Sequence, residues 1–215
     1  MKVKSALVTC HAERPLDDEV WRRLREVVRR RPGGFAIVPL LRPPDRAFGE
    51  DEAEWLTRAR ELGTLGPIGL HTHWTSPTHA RPTDGVPAMR VRTDIAWLRE
   101  HHLEPRFFCG GGWYTDAAVA EAVADAGLVD CTATTFAPPV PQPYRRVDGP
   151  SPGLLPATHS LGMLTRGVLG PLPEFVHAYF HDTDLVDIRR RLALRATLPL
   201  LARRRRLLEV DSVQS

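Results

Sequence analysis

The feature that most constrains this chain is a rhythm: short β-rich apolar runs alternate with amphipathic helical stretches. "SALVTC" (5–10), "FAIVPLL" (35–41), "PIGLHTHW" (67–74), "RFFCGGGW" (106–113), "LVDCTATTF" (128–136) and "EFVHAYF" (174–180) read as strands, with "LLPAT" (154–158) a weaker one. Helical periodicity covers 16–30, 50–63, 92–103 and 115–127, and a final helix runs from about Asp184 through Arg195 toward Arg205. The first of these carries Asp and Glu in its opening turn and is stopped by "RPGG". A strand that returns through a helix re-enters parallel to its predecessor, so this alternation specifies a parallel α/β fold. About seven strands suit a doubly wound sheet or a slightly incomplete barrel, because a full eight-fold barrel needs around 250 residues. The terminal "LLEVDSV" (207–213) reads as a last strand or an extended tail.

Composition narrows the function classes. The 215 residues are 42% hydrophobic, enough for one domain over 1–215 with its own core. Lys and Arg exceed Asp and Glu by 29 to 26, a net charge of +3 that implies no nucleic-acid partner. The basic clusters "RRLREVVRRR" (22–31) and "ARRRRLL" (202–208) fall toward helix C-termini, where the dipole favours cations. No run reaches the roughly 20 apolar residues of a membrane span, and the N-terminal apolar run is too short for a signal peptide. Three widely spaced cysteines argue against a disulfide framework, so a reducing cytoplasm is the expected compartment. Nothing in the pattern specifies an oligomeric state. The Pro-rich stretch 137–153 is long enough to suggest a functional lid.

In parallel α/β folds chemistry collects where strands end. His11 and Glu13 follow the first strand, His71 and His73 close the third, and Cys109 with Gly110, Gly111 and Gly112 closes the fourth. His177, His181 and Asp182 close the last, so five of nine histidines fall at strand ends that the fold would gather. Residues two apart on a strand share a face, so His71 and His73 can address one point. Imidazoles with a carboxylate form the usual ligand set of a catalytic zinc or similar divalent ion. The run "CGGGW" lacks dinucleotide-loop spacing; its glycines are expected to let backbone approach a substrate and to offer N–H donors.

Taken in order, these segments resemble the polysaccharide deacetylase (NodB-homology, carbohydrate esterase 4) superfamily over nearly the whole chain. "ALVTCHAE" resembles its first motif and "LGTLGPIGLHTHWTSP" its metal-binding histidine segment. "FFCGGGWYTDAAVAEAVADAGLVDCTATTF" resembles its "F-R-x-P/G-G" motif with the following helix and strand, and "FVHAYFHDTDL" its late strand bearing the general-acid histidine. The resemblance implies a distorted (β/α)7 barrel that hydrolyses N-acetyl groups on amino sugars with a zinc-like ion held by Asp-His-His. This chain departs from that pattern. His11 stands where the family has its Asp base, and Glu13 matches the second acid one place later. Cys109 replaces the Arg that orients the base. His71 matches the first histidine ligand, while Thr75 occupies the second's usual place, so His73 must substitute.

The expected activity is therefore metal-dependent deacetylation of a non-peptide amide on a small-molecule or glycan substrate. His71, His73 and Glu13 would hold a divalent ion, with zinc the expected one. His11 or Glu13 would act as base and His177 as acid, with His181 the competing acid. Gly111, Gly112, Trp113, Trp74, Tyr144 and His181 would form the substrate surface. Two other readings remain: a retired barrel that binds glycans or proteins, and an unrelated metallohydrolase barrel whose H-x-H would ordinarily close the first strand.

Overall fold

The computed structural model describes residues 4–208. It contains β1 (Ser5–Ala12), α1 (Asp18–Arg30), β2 (Ile37–Leu41), α2 (Glu52–Leu65), β3 (Ile68–Thr72), α3 (Pro87–Glu100), β4 (Pro105–Gly110) and α4 (Ala117–Asp125). There follow β5 (Val129–Asp130), β6 (His159–Ser160), α5 (Leu161–Gly167), β7 (Phe175–His181), α6 (Ile188–Ala202) and β8 (Arg206–Leu207). The strands form one parallel sheet in the order β5-β4-β3-β2-β1-β7-β6, with β8 beside the start of β1. Its two edges are drawn together by segment 153–158. The amides of Leu155 and Ala157 donate to the carbonyls of Asp130 and Ala133, and the Thr158 amide donates to the His177 carbonyl. The sheet thereby curls into a single-domain, incomplete (β/α)7 barrel, as the alternation requires.

Local signals explain most boundaries. Asp17, Asp51, Asp116 and Asp187 cap α1, α2, α4 and α6 by accepting hydrogen bonds from first-turn amides. The basic end of α1 is solvated, with Arg23 and Arg30 pairing with Glu26. α3 begins five residues before the expected position because Pro87 supplies its first turn, where a missing N–H costs nothing. The expected strand 128–136 is regular only over Val129–Asp130. There the Asp130 carboxylate accepts the Thr132 amide at 2.7 Å and turns the chain out of the ladder. α5, with Ser160 as its cap, has only seven residues and too little periodicity to read from sequence. Of the expected terminal strand, Leu207 pairs within β8 and the part beyond Leu208 lies outside the described residues.

Two apolar layers hold the barrel. One fills the space between the strands' outer faces and the helices, around Leu24, Trp55, Leu98 and Leu198. The other fills the barrel interior with Leu7, Val38, Leu40, Phe107, Cys109, Val129, Cys131 and Leu155. Interior positions recur every second residue, so Leu7, Thr9 and His11 climb one wall of the barrel toward the C-terminal strand ends.

Gly69 lies on this inner face, directly below His71 in β3. A Cβ there would stand 2.4 Å from Leu40 Cδ2 and 2.7 Å from the Phe107 carbonyl oxygen. We expect Gly69→Ala to destabilise the fold by about 1–3 kcal/mol through overpacking, read as a lower urea midpoint at unchanged slope.

Candidate metal centre

β1 and β3, separated by β2, end side by side at the open mouth of the barrel. The His11 and His71 rings stack with centroids 4.6 Å apart, and His73 sits edge-on to His71 at 4.9 Å. β7 adds His181, edge-on to His11 at 5.0 Å. Glu13, just past the end of β1, reaches into this group. Its Oε1 lies 3.4 Å from His71 Nε2, 3.6 Å from His73 Nε2 and 3.8 Å from His181 Nε2. These residues, with Arg14, Trp113 and Val140, line a cavity of about 460 Å3.

The hydrogen-bond network assigns the imidazole tautomers. His71 Nδ1 donates to the Cys109 carbonyl at 2.9 Å, and His73 Nδ1 donates to the Pro77 carbonyl at 3.1 Å. Their Nε2 atoms therefore present lone pairs, and both are buried without a hydrogen-bond partner. Facing them is a carboxylate. Burial works against the charge of this carboxylate, and neutral imidazoles with their lone pairs toward it offer no compensation. Burial also lowers the pKa values of His71 and His11, so both are neutral. Three acceptor atoms thus converge in a desolvated pocket with nothing donating to them, an arrangement that a cation relieves. Tetrahedral coordination with bonds of about 2.0–2.2 Å sets donor atoms roughly 3.3–3.6 Å apart, which the Glu13–His71 and Glu13–His73 separations match. The backbone carbonyls behind each imidazole are the supporting contacts such ligands use.

Several groups hold this geometry. Asp182 is fully buried and accepts the Arg14 amide at 2.8 Å, which pins the turn that carries Glu13. Burial pushes its pKa up to about 6. Thr72, between the two histidines, donates to the buried Asp94, which also takes Arg90. Gly111 is required by close approach, since a Cβ there would meet the Thr72 carbonyl at 2.7 Å and the His73 ring at 2.8 Å. Gly112 has φ +57 and lies against the Arg81 side chain. These glycines thus make room for the protein itself rather than for a ligand, although Gly110 and Gly112 reach the cavity wall.

Other expected site residues lie elsewhere. His177 is level with Leu7 in the β1–β7 register, whereas His181 is level with His11. Four residues at about 3.3 Å each put His177 roughly 13 Å below the mouth. Its Nδ1 donates to the Leu155 carbonyl and its Nε2 accepts from the Thr9 hydroxyl, both at 2.9 Å, so no ring nitrogen is free for a substrate. Trp74 packs on Tyr114 at 5.1 Å and donates its indole N–H to the Pro87 carbonyl, a structural position. Tyr144 is partly buried in the Pro-rich stretch but does not line the cavity; Val140 is that stretch's contribution. Trp113 does line it, with its ring 5.6 Å from His11 and 4.9 Å from Tyr179. Tyr179 and Phe136, stacked at 6.3 Å, extend this aromatic wall and were not expected, though Tyr179 shares a strand face with His181. Cys109 fills the place facing His11 and His71, and burial raises its thiol pKa well above normal.

No family model and no curated protein sequence matches this chain. Its backbone does match solved structures. A mutant of a CE4 family pseudoenzyme, described as having restored enzymatic activity, matches with a TM-score of 0.62 at 11% identity, over 99% of this chain and 68% of that one. The wild-type CE4 family pseudoenzyme from Bacillus anthracis gives 0.63 at 12% identity over 99% and 66%. A family 4 carbohydrate esterase from Streptomyces lividans, in complex with acetate, gives 0.51 at 13% identity over 93% and 86%. This chain spans about two thirds of the length of the two pseudoenzyme structures. At such identities the likeness is one of fold alone. No helix among the described residues is long and apolar enough to cross a membrane.

The satisfied, neutral His177 generates a pH signature. Burial lowers its pKa from the ordinary 6.5 to about 4. The unfolded chain therefore binds this proton first as pH falls, and the folded state loses stability between 6.5 and about 4. In His177→Gln that contribution is absent. We expect the stability gap between wild type and variant, measured by urea unfolding, to narrow by about 2 kcal/mol from pH 7 to pH 4.5.

Proposed function

We propose that this chain is a metal-dependent hydrolase that removes an acyl group, an acetyl group in the simplest case, from the amide nitrogen of an amino sugar or sugar-like substrate. The observation that carries this reading is the convergence of Glu13 Oε1, His71 Nε2 and His73 Nε2 on one point, with both imidazole nitrogens buried and unbonded. The likeness to a carbohydrate esterase barrel supports the substrate class. Glu13, His71 and His73 would hold the ion, and their N, N, O donor set favours zinc. When bound, such an ion supplies Lewis-acid polarisation of an acyl carbonyl and makes water more acidic.

The remaining steps belong to the side chains around it. Neutral His11 is stacked on His71 within the cavity wall and carries the lone pair that takes a proton from the attacking water. His181, edge-on to His11 at the cavity mouth, gives a proton to the departing amine, a transfer for which imidazole is suited. The Asp184 carboxylate accepts the His181 amide at 3.1 Å and fixes the strand end that presents it. Trp113, Phe136 and Tyr179 offer the apolar faces against which a sugar ring can lie.

A second reading, a retired barrel that binds glycans or proteins, is favoured by His11 and Cys109 standing where the resemblance puts a catalytic Asp and its Arg, and by the pseudoenzymes among the structural neighbours. Metal analysis and amine release from N-acetylated amino sugars separate the two. In the hydrolase reading the purified protein binds one divalent ion per chain, His71→Ala with His73→Ala abolishes it, and His181→Ala keeps it while losing turnover by roughly 10²–10⁴-fold. In the retired reading wild type releases no amine, and His11→Asp combined with Cys109→Arg creates turnover. A wild-type protein that takes up no divalent ion from metal-replete buffer would overturn the hydrolase reading.

A further inference from the structure

His181 belongs to the walls of two cavities. Beyond it, on the side away from His71, a second cavity of about 610 Å3 opens between α5, β7 and the start of α6. Its charged lining consists of Arg166, Arg189, Arg190 and Asp184 besides His181. Arg190 is paired with Asp184. Arg166 and Arg189 pair with no acid among the described residues, whereas most other arginines named in the structure are tied to a carboxylate or a carbonyl. Asp187, the nearby acid, spends its Oδ1 on the amides of Arg189 and Arg190 as the cap of α6. Two unpaired guanidiniums therefore face one cavity that adjoins the metal centre.

Arg166 lies in the last turn of α5, where the dipole favours a cation, but Arg189 stands at the opposite end of α6. α1 and α2 carry Asp18, Glu19, Glu52 and Glu54 in their first turns, where negative charge is favoured. The first turn of α6 holds no acid and three consecutive arginines, Arg189, Arg190 and Arg191. Arg191 is consumed by the carbonyls of Leu185 and Val186. The acids beside this helix end are the cap Asp187 and Asp184, which is paired with Arg190, so three arginines meet two carboxylates there.

We propose that this second cavity is the subsite for a phosphate group on the substrate, so that the chain acts on a phosphorylated amino sugar. The phosphate lies against Arg166 and Arg189, and the sugar runs past Tyr179 and His181 to bring its amide to the metal ligands. Two free guanidiniums match the near-dianionic charge of a phosphate monoester better than the single charge of a carboxylate. This inference rests on the hydrolase reading above for the identity of the adjoining site.

The test is calorimetric binding to the full chain of N-acetylglucosamine, its 1- and 6-phosphates and its uronic-acid analogue. We expect at least one phosphate to bind 10-fold or more tightly than the neutral sugar, with a preference that shrinks as salt is raised. Arg166→Ala combined with Arg189→Ala removes the preference, while Arg29→Ala, at the exposed end of α1, keeps it. The preference also persists in His71→Ala/His73→Ala protein, which excludes capture of the phosphate by an ion. Equal binding of all four compounds, no binding of either phosphate, preference for the uronic acid, or a preference that survives the paired arginine substitution would each overturn the proposal. A phosphate preference without amine release from any of these sugars leaves the subsite standing and defeats the hydrolase reading instead.

Discussion

Three oxygen and nitrogen atoms that can only accept hydrogen bonds meet at the mouth of this barrel, and much of the surrounding structure exists to keep them there. Glu13 Oε1 lies 3.4 and 3.6 Å from the Nε2 atoms of His71 and His73, distances too long for hydrogen bonds and suited to a shared cation. Left alone, the two buried imidazole nitrogens cost desolvation with no compensating bond. The cluster persists because every member is held from behind. Backbone carbonyls of Cys109 and Pro77 take the imidazole N–H groups, and buried Asp182 clamps the turn next to Glu13. Thr72 is tied to Asp94 on the outer side of the same strand, and Gly111 leaves the space His73 occupies. The barrel supplies rigidity so that a locally unfavourable site can be maintained.

The exchange of charges beside this cluster follows the same physics. Where the resembled family carries an Asp and its Arg partner, this chain carries His11 and Cys109, both buried and both neutral. Replacing either charge alone would have left the other buried and unpaired, which is among the more costly defects an interior can hold. Replacing both keeps the interior neutral and leaves His11 with an available lone pair.

Beyond the mouth, polarity is distributed unevenly. One side of His181 faces the imidazole cluster and an aromatic wall of Trp113, Tyr179 and Phe136. The other faces arginines on α5 and α6 that have few acids to neutralise them. A molecule with an amide, a sugar face and an anionic end would meet complementary surfaces in that order, which is the logic behind the proposed substrate class.

The sequence by itself determined the parallel alternation, the helices near 16–30, 50–63 and 115–127, and the shared face of His71 and His73, because each depends on residues within a few positions of one another. It also brought Glu13 and His11 to the right strand end. The tertiary structure alone decided which histidine of β7 reaches the mouth. His177 and His181 share a face and look alike in sequence, but the register pairs Leu7 with His177 and His11 with His181, so one is sealed in the interior and the other meets the cavity. Register between strands separated by more than 150 residues is set by the curl and packing of the whole sheet. The same holds for Asp182, whose clamp on Arg14 spans 168 positions, and for the arginines that face His181 from two helices. Local pattern encodes which face a side chain takes; only the closed barrel encodes its height and its neighbours.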